Sequence, residues 1–266
     1  MRRLRRFFVS GKISSKGETI TLSVRETHHL KKIIRLKEGD FCLVADGQGS
    51  EAEAEILRFN TDQTVSLKIL NQPDFYPAAA GHSSVRIHVF QALLQKGKQD
   101  FLIEKSQELS VDRVVFVHTE RSQVKVAPAK RVQVLSRWQK ICQGALKQSG
   151  GNRLTQVVLY DGLQNALSEL PNEGVCAVFH PSGAAIPFSE WMDELKGEGF
   201  RDKTVSLFFG PEGGFTPKEL KVIAEGAQEK NLTLAQVSLG SVIWKAETAF
   251  LGVIAALRLM TGGEDR

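Results

Sequence analysis

The sequence predicts an α/β domain with a mainly parallel sheet and helices on both faces, preceded by a smaller β-rich domain. Three observations predict it. From Val85 onward, apolar strand-like runs alternate with helical patterns, as in parallel strands joined by crossover helices. Before that point, short strand-like runs are separated by turn residues around a single helical segment, which suggests a compact barrel. Between the two, Pro73-Asp74-Phe75-Tyr76-Pro77 places two prolines in five residues and ends any ladder. The expected division is a first domain at 1–75, a linker at 76–84 and a second domain at 85–266.

In the first domain, strands are expected at 20–24, 41–45, 51–57 and 65–70, separated by the turn signals Gly39-Asp40, Asp46-Gly47 and Asn60-Thr61-Asp62. Residues 26–36 form the helical segment. Its spacing turns Leu30, Ile33 and Ile34 inward and leaves His28, Lys31, Lys32 and Arg35 outside. In the second domain, strands are expected at 85–90, 113–118, 156–160, 175–180, 205–209 and 232–239. A helix at 100–109 carries Phe101, Leu102, Lys105 and Leu109 in step. A longer one at 128–148 puts Val132, Leu135, Trp138, Ile141, Cys142 and Ala145 on one stripe.

The richest stretch begins at residue 205. An apolar strand runs into Gly210-Pro211-Glu212-Gly213-Gly214, where glycine frees the backbone and lets a ligand approach closely. Thr216, Pro217 and Glu219 then form a capping box that opens a helix. The arrangement repeats at once: a strand at 232–239, a turn at Gly240-Ser241 and a helix at 245–260. That last helix is apolar nearly all round, which suits burial in a core or at a subunit interface. Strand, glycine turn and capped helix together describe a ligand site at the carboxyl ends of a sheet. Neither GxxxxGK[ST] nor GxGxxG is present. If their strands are neighbours, the loops His180-Pro181-Ser182-Gly183, 210–214 and 240–245 converge on one crevice fit for a nucleoside-like cofactor.

Charge is concentrated. The net charge is +5, yet residues 1–40 carry +7 and residues 91–153 carry another +7, leaving −9 elsewhere. Two basic blocks in an otherwise acidic chain point to a polyanion partner. Adjacent His28 and His29 project about 100° apart on a helix, so they suit an RNA-facing surface better than a shared metal. The three cysteines, Cys42, Cys142 and Cys176, are isolated in sequence and show no zinc or disulfide spacing. No apolar core follows the arginines that precede Phe7-Phe8-Val9, and no run reaches membrane-spanning length. No metal and no membrane are expected, and the expected location is cytoplasmic.

These residues resemble a known family. Phe209-Gly210-Pro211-Glu212-Gly213-Gly214-Phe215-Thr216 with Glu219 is similar to "GPEGGF(S/T)xxE", and Leu239-Gly240 followed by Lys245-Ala246-Glu247-Thr248-Ala249 to "LGxRILRxETA". Both belong to the RsmE-type 16S rRNA (uracil-N3)-methyltransferases of the SPOUT superfamily. Weaker matches are Gln91-Ala92-Leu93 with Lys96-Gly97, Lys105 with Glu108-Leu109, Glu120-Arg121-Ser122, Arg137-Trp138, Gln148-Ser149, and His29-Leu30 with Arg35-Leu36 and Gly39-Asp40. The chain departs from the pattern at Val242 and Lys245, where the family has arginines, at Trp244 between them, at Ser110, and at Lys98-Gln99, which follow Gly97 where "GDR" is usual.

The resemblance implies a PUA-like N-terminal barrel and a SPOUT domain with a trefoil knot, a homodimer formed through that domain, and S-adenosylmethionine held in the knot loops. It implies methylation of uridine N3 in 16S rRNA of the small ribosomal subunit. The cofactor is expected against His180, Pro181, Phe209, Gly210, Pro211, Glu212, Gly213, Gly214, Val237, Leu239, Gly240, Ile243 and Trp244. RNA is expected on Arg2, Arg3, Arg5, Arg6, His29, Arg35, Lys37, Lys96, Arg121, Gln148 and Arg153. Lys245 and Arg153 are candidates to stabilise the uracil anion, and Arg153 could come from a partner subunit. Glu212 and Glu247 either assist deprotonation or cap exposed helix amides. Rival readings are a non-catalytic RNA-binding or ribosome assembly factor, a SPOUT methyltransferase acting on another RNA, and a nucleotide-dependent oxidoreductase. The last lacks its glycine fingerprint.

Overall fold

The computed structural model describes residues 4–75, 85–95, 97–180, 185–197 and 203–261. The expected linker therefore lies outside the described residues, as do Arg2, Arg3, Lys96 and Pro181. Two compact units result. One comprises Met1–Ala78 with Gln143–Leu154, the other Ala79–Cys142 with Thr155–Arg266.

In the first unit, β1 (Arg6–Phe8), β2 (Thr19–Leu22), α1 (Val24–His28) and a π-helix (His29–Ile34) lead into β3 (Phe41–Ala45), β4 (Ser50–Phe59), β5 (Val65–Ile69) and β6 (Asp74–Phe75). The sheet order is β1-β3-β4-β5-β2, with β6 paired to β4. Strand β1 runs parallel to β3, and the other pairings are antiparallel. The sheet wraps a core of Phe7, Leu22, Leu30, Val44, Ile56 and Leu67. The sequence pattern missed β1 because its arginines mask the alternation that sends Phe7 inward.

The helical segment departs from expectation in one respect. Leu30 is buried, but Ile33 is 63% exposed. Residues 29–34 wind as a π-helix, whose wider turn rotates later side chains off the face that a 3.6-residue period predicts. Arg35 closes it in the left-handed region, at φ 63°. Residues 143–154 also belong to this unit. Gly49 N–H donates to the Asn152 carbonyl at 3.0 Å, and Leu154 N–H to that of Gly47 at 2.9 Å. Lys147 Nζ reaches Glu26 Oε1 at 2.7 Å.

The second unit follows the expected alternation: β7 (Arg86–Ala92), α2 (Lys98–Glu108), β8 (Arg113–Val117), α3 (Arg131–Ser149, whose end belongs to the first unit), β9 (Gln156–Tyr160), α4 (Leu163–Ala166), β10 (Val175–Phe179), β11 (Ile186–Pro187), α5 (Phe188–Gly197), β12 (Thr204–Phe209), α6 (Pro217–Glu229), β13 (Thr233–Ser238) and α7 (Ala246–Thr261). Its seven strands are parallel, in the order β11-β13-β10-β12-β7-β8-β9.

All six residues of β12 are buried. Because side chains alternate across a strand, Phe208 and Phe209 face opposite sides of the sheet. Phe208 stacks on Phe90 of β7 at 4.5 Å between centroids, within the cluster that holds Leu163, Ala166 and Ile223 of α4 and α6. Phe209 stacks on Phe179 of β10 at 4.8 Å and meets Phe250 of α7 at 5.6 Å. Both stacked pairs lie directly opposite in the ladder. Such pairs add about 0.5–1.5 kcal/mol each beyond their burial, so they pin the register of the three strands.

Two helix faces need correction. Phe101 is 42% exposed and Val132 80% exposed. The buried face of α2 is instead Leu102, Ile103, Ser106 and Gln107, and Lys105 Nζ stands over the Phe101 ring at 5.8 Å. The first turns of α3 follow an exposed 3₁₀ turn and bury no residue before Trp138. Helix α7 buries Ala249, Phe250, Val253, Ile254 and Leu257 but leaves Leu259 80% exposed, so its apolar circumference is only partly covered within the chain. The three cysteines are buried and unbridged, and burial pushes each thiol up to about 12. None is a ready thiolate.

Arg258 of α7 fastens the far end of the sheet. Its guanidinium donates to the carbonyls of Leu109 at 3.0 Å and Val85 at 2.7 Å, and to that of Ser110, beside the Asp112 carboxylate. Replacing it removes a shared donor from three partly buried carbonyls. Arg258→Ala is expected to lower stability by about 2–4 kcal/mol in urea unfolding, with no change in the slope of the transition.

Candidate active site

Strands β13, β10 and β12 are adjacent, and Phe179 pairs with both Phe209 and Val237. The three strands therefore end at one level, and the loops that follow them meet. They line a cleft of about 570 Å³, within the range of small-ligand sites. Its apolar walls include Phe179, Phe209, Val237 and Ala249. His180, Gly210, Pro211, Glu212 and Gly214 enter from two of the loops, and Leu239 to Glu247 from the third.

The turns are shaped by glycine where it is required. A Cβ on Gly210 would sit 3.1 Å from the Gly214 Cα and the Phe215 nitrogen, so any side chain there would force the backbone of the loop to give by a few tenths of an ångström. Gly240 holds φ +105°, a conformation that L side chains rarely adopt. Buried Gln91 steadies the end of β12, donating from Nε2 to the Gly210 carbonyl at 3.3 Å. Beyond the turn the capping box is present: Glu219 Oε2 accepts from Thr216 N–H at 2.8 Å, and Thr216 Oγ1 from Glu219 N–H at 3.3 Å. Glu219 Oε1 also accepts from Glu120 N–H at 2.8 Å, and Arg121 donates to the Gly213 carbonyl at 2.8 Å. Two residues of the "ERS" stretch thus buttress the glycine loop.

Lys98 joins the two candidate carboxylates. Its Nζ lies 2.9 Å from Glu212 Oε1 and 3.2 Å from Glu247 Oε2. Glu212 Oε1 also accepts from Gln95 N–H at 3.0 Å. Burial works to raise the Glu212 carboxyl, but the hydrogen bonds from Lys98 and Gln95 outweigh it and hold the group below its ordinary 4.5. The hydrogen bond to Glu212 lifts Lys98 above 10.5. The sequence pattern did not single out Lys98 as a partner of these carboxylates, since it lies 114 positions from Glu212.

Of the sequence-predicted cofactor residues, His180, Phe209, Gly210, Pro211, Glu212, Gly214, Val237, Leu239, Gly240, Ile243 and Trp244 line the cleft, and Gly213 is held beside it by Arg121. Lys245 and Glu247 line it too, Lys245 exposed at the start of α7. Arg153 falls in the first unit, where its backbone bridges Gln48. In that unit Arg5, Arg35, Lys37 and Gln148 are exposed. Arg6 is committed to Glu51 and to the Gly151 carbonyl. His29 is half-buried edge-on to Phe7, and burial, then Lys147, lowers its pKa.

Residues 81–258 match the family described as RNA methyltransferase domain, and residues 22–70 match the RNA methyltransferase PUA domain. The chain belongs to the RNA methyltransferase domain family. Among its relatives is the ribosomal RNA small subunit methyltransferase E of Bacillus subtilis, 26% identical over 252 residues that cover 92% of each chain. The solved ribosomal RNA small subunit methyltransferase E of Neisseria gonorrhoeae, bound to S-adenosylmethionine, is 26% identical with a TM-score of 0.79, covering 97% of this chain and 98% of that one. A Legionella pneumophila chain solved with the same cofactor shares the fold, with a TM-score of 0.80 at 24% identity and the same coverage. Among the described residues, no helix is long and apolar enough to cross a membrane.

One buried polar atom of the cleft residues, His180 Nδ1, has no hydrogen-bond partner among the described residues. Together with the apolar walls and the glycine turns, it fits a nucleoside bearing an amino-acid tail. The Lys98 pairings have a pH signature. The depressed Glu212 carboxyl contributes stability present above 4.5 and lost as pH falls through its lower folded value. The raised Lys98 contributes below 10.5 and is lost as pH rises through its folded value. Lys98→Met is therefore expected to cost about 0.5–1 kcal/mol in urea unfolding at pH 7. The loss of stability between pH 7 and pH 3 should be smaller in the variant than in the parent.

Proposed function

We propose that this chain is a cytoplasmic, S-adenosylmethionine-dependent methyltransferase that methylates N3 of a uridine in 16S rRNA of the small ribosomal subunit. The observation that carries it is the meeting of the three strand-end loops in one cleft lined by the motif residues. The names of the full-length relatives support the substrate, and the PUA match supports RNA as partner. The trefoil knot is part of the same proposal. So is a homodimer through the second unit, supported by exposed Leu259 and Met260 on α7.

The cofactor would rest on Phe209, Gly210, Val237, Leu239 and Gly240, with His180 Nδ1 available to its donors. When bound, S-adenosylmethionine supplies an electrophilic methyl group. The nucleophile is uracil N3 after loss of its proton, with charge spread onto O2 and O4. Lys245, exposed and lining the cleft, would stabilise that charge. Glu212, ion-paired and held below its ordinary pKa, suits fixing the loop better than taking a proton. Glu247 is ion-paired through Oε2 to the same Lys98, at 3.2 Å, so the geometry singles out neither carboxylate as the base. Arg153 could serve the anion from a partner subunit. Because N3 lies on the pairing edge, the target uridine must be unpaired or flipped. Arg5, Arg35 and Lys37 would hold flanking phosphates, with Arg2, Arg3 and Lys96 included on sequence alone.

Incubation with radiolabelled S-adenosylmethionine and small subunits lacking the modification should place label in N3-methyluridine of the 16S rRNA. Absence of both label and cofactor binding would favour the assembly-factor reading, and label in a different RNA would revise the substrate. Lys245→Met should lower kcat by roughly 100-fold, with cofactor affinity by calorimetry changed less than about threefold. Equal loss of both would remove Lys245 from the chemistry.

A further inference from the structure

The first unit carries a groove of about 810 Å³ made wholly of its own residues. Its apolar wall holds Ile33 and Phe41, exposed by 63% and 50%, with Leu36 and Leu43 half-buried behind them. Its other wall holds Arg5 and Lys147. Asp40 is the one acidic residue among the described residues of the lining, and its Oδ2 is taken by the Lys37 N–H at 2.7 Å. An isoleucine and a phenylalanine exposed on the lining of one groove, with a polar rim, form the kind of apolar patch that marks an interaction site. The exposure of Ile33 is also built in: the π-helix turns it out, and Arg35 closes that helix in the left-handed region. Both are features that recur at functional sites.

We propose that this groove holds an unpaired nucleotide of single-stranded RNA, its base stacked on Phe41 and Ile33 and its phosphate on Arg5. The charge of the walls selects a polyanion, and an aromatic platform beside cations suits single-stranded nucleic acid. Lys147, already paired to Glu26, adds field more than a direct contact. A duplex offers no free base face and would be bound more weakly. The subsite rests on the proposed function in taking RNA as the partner, but it requires neither the cofactor nor the reaction.

The test uses the full chain and a short single-stranded RNA carrying 2-aminopurine, with its perfect duplex as the comparison. Wild type should quench the single strand's fluorescence on binding and prefer it to the duplex. Phe41→Ala should weaken binding roughly tenfold, as for one lost base stack, and abolish the quench, while Phe41→Trp keeps both. Arg5→Ala should weaken binding and lower its salt dependence. Unchanged affinity and quench in Phe41→Ala, or a preference for duplex, would overturn the proposal. Should that variant misfold by circular dichroism, Ile33→Ser carries the same test on a side chain already in solvent. Wild type that stacks the oligonucleotide but transfers no methyl group overturns the proposed function and leaves the groove standing. Methylation with no effect of Phe41→Ala does the reverse.

Discussion

The site depends on one constraint: three adjacent parallel strands must end at the same height. Parallel neighbours cannot be joined by tight turns, so β10, β12 and β13 are brought together only by intervening helices that cover the sheet. Once they are side by side, the pairing of Phe179 with Phe209 and Val237 brings their loops to one level. A slip of one residue would send Phe208 and Phe209 to the wrong faces, breaking both aromatic stacks at once. The register that positions the cleft is thus the register that the core enforces, and the glycine turns inherit their placement from it.

Within the cleft, charge is arranged around Lys98. Two carboxylates, one from the glycine loop and one from the first turn of α7, face a single ammonium, which offsets the repulsion they would otherwise exert. All three groups are partly shielded, so each contact is worth more than an open surface pair and less than a buried one. The family's usual pattern after the glycine has an acidic residue, and here Lys98 stands there. A third acid beside Glu212 and Glu247 would need a cation from elsewhere, so this departure changes how the carboxylates are held while leaving the cleft's shape to the backbone.

Much of this was legible from local signals. The capping box, the glycine turns and the strand runs each depend on residues within a few positions of one another, and each appears where the pattern put it. The adjacency of β13, β10 and β12 was only a condition, because strand order leaves no trace in alternation. The faces of Phe101 and Val132 were misjudged, since periodicity finds a stripe without saying where the neighbouring layer stops. Ile33 was misjudged for a different reason: the period itself changes where the helix becomes a π-helix. Lys98 escaped because its partners arrive from far along the chain, and the strand at Arg6–Phe8 because charge obscured a short alternation.

Trp244 shows how a departure can be matched by a distant residue. It follows exposed Val242 and Ile243 in the loop before α7 and is itself 42% exposed. Part of its ring lies against Gly252 two turns into that helix, where a Cβ would come within 2.7 Å of Trp244 Cζ3. Glycine inside a helix costs about 1 kcal/mol relative to alanine, so its presence at 252 needs a reason, and the indole supplies one. The flat ring set into that notch ties the loop to α7, beside the cleft that both line. A larger residue at 252 would push the indole outward and carry the loop with it, so the two positions are coupled through shape across a gap in sequence.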